Sequence, residues 1–140
     1  MFYKKMGDTY ALRLEKGEEI INSIKTLCQK EHISAGFISG LGACNHAVVG
    51  LFKTAEKRYV SAVLEEDMEI TSLTGNISSM NDEVYLHLHA SFANEQNLVR
   101  GGHLNEATVS ATAEIFLTQL PGTIGRYFEE EIGLNLMILD

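Results

Sequence analysis

Three of the five histidines lie close together in the sequence, with a spacing that suits a metal ion. His87 and His89 alternate with apolar residues over positions 85–92, and alternate residues of a strand face the same side of a sheet. Their Cα atoms would then be about 6.5–7 Å apart, which lets both imidazoles reach one ion. The polar residues 94–97 predict a turn that returns the chain antiparallel, so that His103 can complete the set.

Three imidazoles without a fourth protein ligand are typical of an open zinc site, in which water or a substrate takes the remaining position. Other borderline divalent transition metals also accept imidazole. Water bound to such an ion becomes acidic enough to act near neutral pH. We therefore predict that His87, His89 and His103 bind zinc or a similar ion, while the sequence names neither a substrate nor a catalytic residue.

The two glycines before His103, at positions 101 and 102, strengthen this prediction. They leave room for a backbone or a ligand to approach closely. An HxH pair alone is more often the polar face of an ordinary strand than a metal site, so the return strand with its third histidine carries the argument. The remaining histidines have simpler interpretations, His32 as a helix cap and His46 as a surface or core residue.

A carboxylate behind the site would complete it, because a histidine ligand usually holds its second ring nitrogen against a carboxylate or carbonyl oxygen. Glu114 lies in the middle of the apolar segment 111–116 and is the predicted buried partner. The alternative is that Glu114 is a structural acid, buried and bonded to backbone amides.

The elements that position these residues are one amphipathic helix and a series of strands. Apolar residues recur at helical spacing over 18–32, which predicts a helix with one buried face. Alternating or β-branched segments predict strands at 9–16, 35–41, 45–52, 59–64, 68–78, 84–92, 98–104 and 107–119, with a turn at residues 40–42. The pattern favours an α+β fold, a mainly antiparallel sheet with one helix packed on it. The tail after residue 125 predicts a short helix or turn and a final strand.

Length and composition predict one globular domain over residues 1–140. The chain is 45% hydrophobic and 21% charged, ordinary values for a globular protein. No apolar run is long enough for a membrane-spanning helix, and no export signal follows the first lysines. The two cysteines have no ligand or disulfide pattern, so a reducing cytoplasm is the expected location.

The charge argues against autonomous DNA binding. The formal net charge is −8, and the basic residues are scattered, with Lys53, Lys57 and Arg58 as the nearest approach to a patch. Affinity for duplex DNA comes largely from lysine and arginine displacing counterions. We therefore expect no strong nucleic-acid binding by this chain alone.

Six segments, in order along the chain, resemble the plants-and-prokaryotes-conserved (PPC) domain. They are Leu14–Glu18, Ala35–Gly42, Glu69–Asn76, His87–Phe92, Gly101–Leu104 and Ala113–Ile115. The resemblance covers essentially the whole chain and implies a small α+β subunit that assembles as a homotrimer. Prokaryotic members carry a provisional label as DNA-binding proteins. In plants the domain resembles a partner-binding module fused to an AT-hook, and this chain has no Arg-Gly-Arg-Pro hook.

The resemblance and the residues support two functional interpretations. In the first, the protein is a metal-binding homotrimer, an enzyme or a sensor for an unidentified small molecule. The chain also has a distant similarity to acetolactate decarboxylase, a three-histidine zinc enzyme. That similarity is limited to the ligand pattern, which also begins with HxH. In the second, the protein is a non-enzymatic regulator or oligomerisation scaffold that is associated with DNA through partners.

The sequence adds a modest physical reason for the trimer. Residues 133–139 are almost all apolar, and the strand at 107–119 has one apolar face, so a single helix should leave surface for neighbouring subunits to bury. The alternative is that the tail pairs as an inner strand within its own subunit.

Overall fold

Nine strands and one α-helix form the fold of residues 1–139, the part of the chain that the computed structural model describes. The strands are β1 (Phe2–Met6), β2 (Thr9–Glu15), β3 (Gly36–Lys53), β4 (Arg58–Leu64), β5 (Met68–Met80), β6 (Glu83–Ala93), β7 (Val99–Gln119), β8 (Arg126–Glu129) and β9 (Leu134–Met137). The helix α1 spans Ile20–Lys30, and a short 3-10 turn spans Thr54–Glu56. The predicted α+β class, mainly antiparallel with one helix, is confirmed.

Seven strands form one antiparallel sheet in the order β1-β2-β7-β6-β5-β3-β4. An additional pairing joins β7 to β3, so that β7, β6, β5 and β3 close on one another. The two remaining strands, β8 and β9, form a separate antiparallel hairpin. The closed part of the sheet fixes the relative positions of β6 and β7, on which the three clustered histidines lie.

The helix begins and ends where its capping groups are. The Glu19 carboxylate accepts hydrogen bonds from the backbone N–H groups of Ile21 and Asn22, which would otherwise have no intrahelical partner. Its apolar face is buried, and α1 packs against β6 and β7. At the other end His32 has a positive φ of 55°, which stops the helix. The observed helix is two residues shorter at each end than predicted.

The core is formed by the apolar face of α1 and the inward-facing side chains of the strands. Buried residues of β7 include Ala107 and Val109 and, beyond the exposed Ala111, also Ala113, Ile115 and Leu117. Each large aliphatic side chain fully removed from water stabilises the fold by about 1.5–3 kcal/mol. Burial of these apolar side chains therefore fixes the orientation of β7, so that its polar residues point outward.

Two predicted breaks in the strands are wrong. Residues 40–42 do not form a turn but a register shift within the continuous strand β3, where a Cβ on Gly42 would lie 2.5 Å from the Thr112 carbonyl oxygen. Residues 98–104 and 107–119 are likewise one strand, β7, with a register shift opposite Val48 and Val49. Glycines and polar residues accommodate bulges as readily as turns, so local composition could not separate the two.

Strand β1 and the hairpin β8–β9 were not fully predicted. β1 is an exposed edge strand and lacks the alternation that marks a half-buried strand. The predicted final strand exists as β9, but it pairs with β8 and not with the main sheet. Within residues 1–139 no helix is both long enough and apolar enough to cross a bilayer.

Candidate metal centre

Strand pairing brings the three predicted histidines together. His89 on β6 lies directly opposite His103 on β7, and His87 lies two residues along β6 on the same face. On the other face Leu88 and Ala90 are buried in the core. The alternation read from the sequence therefore has the orientation that was predicted, with imidazoles outward and apolar side chains inward.

The two glycines before His103 allow three backbones to approach closely at this point. A Cβ on Gly101 would collide with the carbonyl oxygen of Ala90 on β6. A Cβ on Gly102 would lie 2.6 Å from the carbonyl oxygen of Gly50 on β3. The predicted close approach is thus between strands, and it holds β7 where His103 meets the β6 histidines.

The imidazoles are close enough to share one ion. The Nε2 atoms of His87 and His89 are 3.2 Å apart, and one ring nitrogen of each histidine lies within 4.8 Å of the others. The ring of His103 has its centroid 5.2 Å from that of His87 and 5.6 Å from that of His89. Two nitrogens bound tetrahedrally to zinc at about 2.0–2.1 Å would be about 3.3 Å apart, so the His87–His89 pair fits this donor set.

The surroundings of His87 and His103 disfavour their charged forms. Burial lowers the pKa of His87 from 6.5 to about 4, with further lowering by His103, His89 and Arg126. Burial, then His89, lowers the pKa of His103 as well. A metal requires the neutral form of histidine, so the lowered pKa values of His87 and His103 favour metal binding.

The cluster lines a cavity of about 580 Å³. Its volume is in the range of pockets that hold small molecules. The polar side carries the three histidines together with Tyr59, Asn76, Tyr85, Asn135 and Arg126. An apolar wall is formed by Leu51, Phe52, Leu134, Leu136 and Met137. The hairpin β8–β9 thus contributes both polar and apolar residues to the cavity.

Tyr59 on β4 lies beside His103, and Gly50 on β3 leaves the space that the Tyr59 ring occupies. A Cβ on Gly50 would collide with the Tyr59 ring, which meets His103 edge-on at 6.0 Å between ring centroids. The Tyr59 hydroxyl oxygen accepts a hydrogen bond of 2.6 Å from the Asn105 side chain. A phenol held in this way is a fixed polar wall of the cavity.

Arg126 is the site residue that sequence analysis missed. It is half-buried on β8 and lines the same cavity as the histidines. Its guanidinium lies 4.6 Å from the centroid of the Tyr85 ring and lowers the pKa of His87. No motif surrounds Arg126 in the sequence, and only the docking of the hairpin on β5 places it here.

Glu114 is not where the prediction placed it. Its side chain is exposed, and it lies on the part of β7 that pairs with β2 and β3, opposite Arg13 and Leu41. It lines a different groove, beside Phe2 and Phe116, and is eleven positions along β7 from His103. The expectation of a buried carboxylate was wrong because the inward face of β7 carries residues 113 and 115, and position 114 points outward.

The other two histidines and the cysteines lie elsewhere. His46 stands between Glu65 and Glu106, with ring nitrogens 3.5 and 3.4 Å from their carboxylate oxygens. His32 is exposed at the end of α1. Cys28 and Cys44 are free thiols buried in the core, and burial raises their pKa values to about 12 and about 11. Neither cysteine is a candidate ligand.

Fold and site together define a class of protein: a small antiparallel β domain with one helix and a three-histidine cluster in an open cavity. The family model of the Plants and Prokaryotes Conserved (PCC or PPC) domain matches residues 1–121. The chain belongs to this family. The hairpin β8–β9 lies beyond the matched residues.

Solved structures of similar proteins agree with this fold. A candidate DNA-binding protein from Bacteroides thetaiotaomicron is 34% identical, with a TM-score of 0.95, 98% of this chain covered and 96% of that one. A metal-containing protein from Archaeoglobus fulgidus is 33% identical, with a TM-score of 0.89 and 99% of both chains covered. A curated relative, the bifunctional protein GlmU of Synechococcus, is 29% identical over 114 residues. That match covers 80% of this chain but only 17% of the length of GlmU.

Proposed function

We propose that this protein is a metal-binding PPC protein whose centre, formed by His87, His89 and His103, holds one zinc or similar divalent ion. The observation that carries the proposal is the convergence of three ring nitrogens within 4.8 Å of one another at the wall of a cavity of about 580 Å³. The name of the Archaeoglobus fulgidus relative, a metal-containing protein, supports it.

The chemistry of the donor set favours zinc over magnesium or calcium. Imidazole nitrogen suits zinc, copper, iron and nickel, whereas magnesium and calcium prefer oxygen ligands. When bound, a zinc ion held by three histidines supplies a Lewis acid and an acidic water. The three histidines would hold the ion, and the cavity would enclose a small molecule in contact with polar and apolar side chains.

The same proposal includes the setting in which the protein works. A homotrimer would bury the apolar surface that the fold leaves exposed, and the free thiols of Cys28 and Cys44 suit a reducing cytoplasm. The role is that of an enzyme or a sensor for a small molecule. The alternative of a DNA-associated scaffold has less support, because the basic side chains of the segment 53–58 are paired or hydrogen-bonded.

Metal analysis tests the proposal. Protein purified without chelators and without a metal-binding tag should contain about one ion per chain, or take up one on titration with zinc. The double variant with His87→Ala and His89→Ala should lose this uptake and keep its circular dichroism spectrum.

The matched control is His46→Ala, which removes a histidine outside the cluster and should leave uptake unchanged. Absence of metal in the purified protein, together with no uptake on titration, would overturn the proposal.

A further inference from the structure

Arg126 is held rigidly at the cavity by uncharged groups. Its Nε–H donates to the Ser78 hydroxyl oxygen at 2.7 Å, and its Nη2 donates to Asn76 Oδ1 at 2.9 Å. Its Nη1 donates to the backbone carbonyl oxygen of Asn135 at 2.8 Å. The Tyr85 ring lies below the guanidinium plane. These contacts fix the direction in which the guanidinium faces.

Within the described part of the chain, the positive charge of Arg126 has no acidic partner. Among residues 1–139 no carboxylate forms an ion pair with it, whereas Arg13, Arg58 and Arg100 each have one. Burial lowers its pKa, which reflects a charge partly removed from water. A charge that is partly removed from water and has no counter-ion is unfavourable. The protein has a net charge of −8, so carboxylates that could have served as the counter-ion are plentiful in the sequence.

The guanidinium also has donors to spare. It carries five N–H groups, and three of them are used in the bonds to Ser78, Asn76 and Asn135. One N–H remains on each terminal nitrogen. A carboxylate accepts such a pair of N–H groups in a planar arrangement, and charge-assisted bonds of this kind are among the strongest in proteins.

The other residues that line the cavity indicate which kind of anion would bind to Arg126. The cavity also has an apolar wall, formed by Leu51, Phe52, Leu134, Leu136 and Met137. Inorganic anions gain nothing from such a wall, whereas an organic chain buries its surface there. Among the described residues, Arg126 is the one Lys or Arg side chain that lines the cavity, and phosphate sites usually gather several donors or backbone N–H groups.

We propose that the cavity binds a small organic carboxylate, with its carboxylate group on the Arg126 guanidinium and its apolar body against the wall formed by β3 and β9. The inference deepens the proposed function, because the metal would lie in the same cavity and the ligand would sit between the metal and Arg126. Arg126 is then a recognition residue, supplied by the hairpin that lies beyond the matched family domain.

Calorimetric titration with three probes tests this assignment: hexanoate, its uncharged analogue hexanamide, and inorganic phosphate. Each is titrated into zinc-loaded protein and into protein treated with a chelator. Hexanoate should bind at least about tenfold more tightly than hexanamide in both forms, because a charge-assisted hydrogen bond contributes more than that factor requires. Phosphate should bind more weakly than hexanoate.

Two variants assign the preference to Arg126. Arg126→Gln should remove the preference for hexanoate over hexanamide in the chelated protein, while Arg126→Lys, which keeps the charge, should restore part of it. Because both lose hydrogen bonds that secure the hairpin, the wild-type protein supplies an independent measurement. Its Arg126 Nε–H signal in a ¹H–¹⁵N spectrum, assigned by its absence from Arg126→Lys, should shift with hexanoate and not with hexanamide.

Equal affinities for hexanoate and hexanamide in the chelated wild type, or an Nε–H signal that hexanoate leaves in place, would overturn the assignment. Tighter binding of phosphate than of hexanoate would overturn the choice of a carboxylate. Zinc content, measured on the same samples, reports separately on the metal centre. A failure to take up zinc would overturn the metal proposal and leave the chelated-protein result to decide on Arg126.

Discussion

His89 and His103 lie directly opposite each other, one on β6 and one on β7, across a single antiparallel pairing. Because side chains of a strand alternate between faces, a slip of one residue in this pairing would send one of the two imidazoles to the other face of the sheet. The candidate metal centre therefore depends on the register of five residue pairs between β6 and β7, from His89–His103 to Ala93–Val99.

The first prediction concerns Gly101, which maintains that register. In Gly101→Ala the new methyl group would collide with the Ala90 carbonyl oxygen, and backbone atoms cannot move aside cheaply. We expect a loss of about 1–3 kcal/mol in the free energy of unfolding, together with weaker zinc binding. Urea unfolding of the metal-free protein and zinc titration measure the two effects.

Gly125→Ala is the matched control, because its methyl group would meet only the Ile138 side chain, at 3.4 Å, and its φ is not positive. It should change stability by less than about 1 kcal/mol. If Gly101→Ala behaves like this control, close approach of the strands does not require glycine at position 101.

The histidine cluster shows what local sequence can predict. Alternation over residues 85–92 correctly gave the outward face of β6, because the core buries Leu88, Ala90 and Phe92 on the other side. Placing His103 required only a short polar turn between the two strands. Both predictions depend only on residues that are close together in sequence, and the alternation of apolar and polar residues is enough to make them.

Arg126 and Glu114 show where this approach fails. Arg126 reaches the site through contacts with Asn76 and Ser78, about fifty positions away, and no local pattern carries that information. Glu114 was assigned to the interior because apolar residues flank it, but a strand alternates and the flanking residues take the inward face. The position of Arg126 depends on contacts between segments that are distant in sequence, and that of Glu114 depends on which residues of β7 face inward.

The second prediction concerns acid. The pKa of His87 is lowered to about 4 in the folded protein, mainly by burial, against an ordinary value of 6.5. Between pH 6.5 and 4 the unfolded chain binds a proton that the folded, metal-free protein does not, so the free energy of unfolding should fall across this window and this contribution should level off below it. His103 acts in the same direction.

Urea unfolding of metal-free wild type and of His87→Gln, at several pH values from 7.5 to 4, isolates this contribution. Glu18 and Glu31, whose pKa values are lowered by hydrogen bonds to the N-terminal amine and to Tyr3, also weaken the fold in acid, but they do so equally in both proteins. The variant should lose less stability than the wild type between pH 6.5 and 4. Parallel curves would contradict the lowered pKa of His87.

The third prediction concerns DNA. The cations of the segment 53–58 are compensated in the structure: Lys53 and Arg58 pair with Glu56, at 3.1 and 2.8 Å, and Lys57 donates to the Glu130 carbonyl oxygen. We expect no sequence-specific retention of duplex DNA at physiological salt, since counterion release requires free cations along the phosphates.

Fluorescence polarisation with a labelled duplex between 50 and 200 mM salt measures this. Glu56→Gln serves as a comparison, because it frees two cations and should raise non-specific affinity slightly at low salt. Binding tighter than micromolar with a steep salt dependence in the wild type would contradict the prediction, and it would indicate a basic surface built by several subunits.

The last prediction is the homotrimer, and the structure changes the reason for expecting it. The apolar tail now has another explanation, because β9 pairs with β8 and its residues line the cavity. The inward face of β7 is also buried within its own subunit. The surface that a partner would cover lies instead on the outer face of β3 and β7.

That outer surface consists of Phe37 and Leu41 on β3, Phe116 on β7 and Phe2 on β1, and we refer to it as the outer apolar patch. Phe116 is paired with Ser39 on β3, which places Phe37 and Leu41 on either side of it on the same face. Leu41 and Phe116 are 56% and 53% exposed. Large apolar side chains gathered in this way usually mark an interface, and closed cyclic assembly buries them without leaving an open end.

Sedimentation equilibrium at micromolar concentration decides the assembly: a mass near 15.5 kDa contradicts the trimer, and about three times that mass supports it. Phe116→Glu places a charge in the centre of the patch and should shift the protein to monomer, since a buried charge without a partner costs several kcal/mol. Val63→Glu, a similarly exposed position on β4, is the matched control and should leave the mass unchanged. A trimer that persists in Phe116→Glu would show that another surface holds the subunits together.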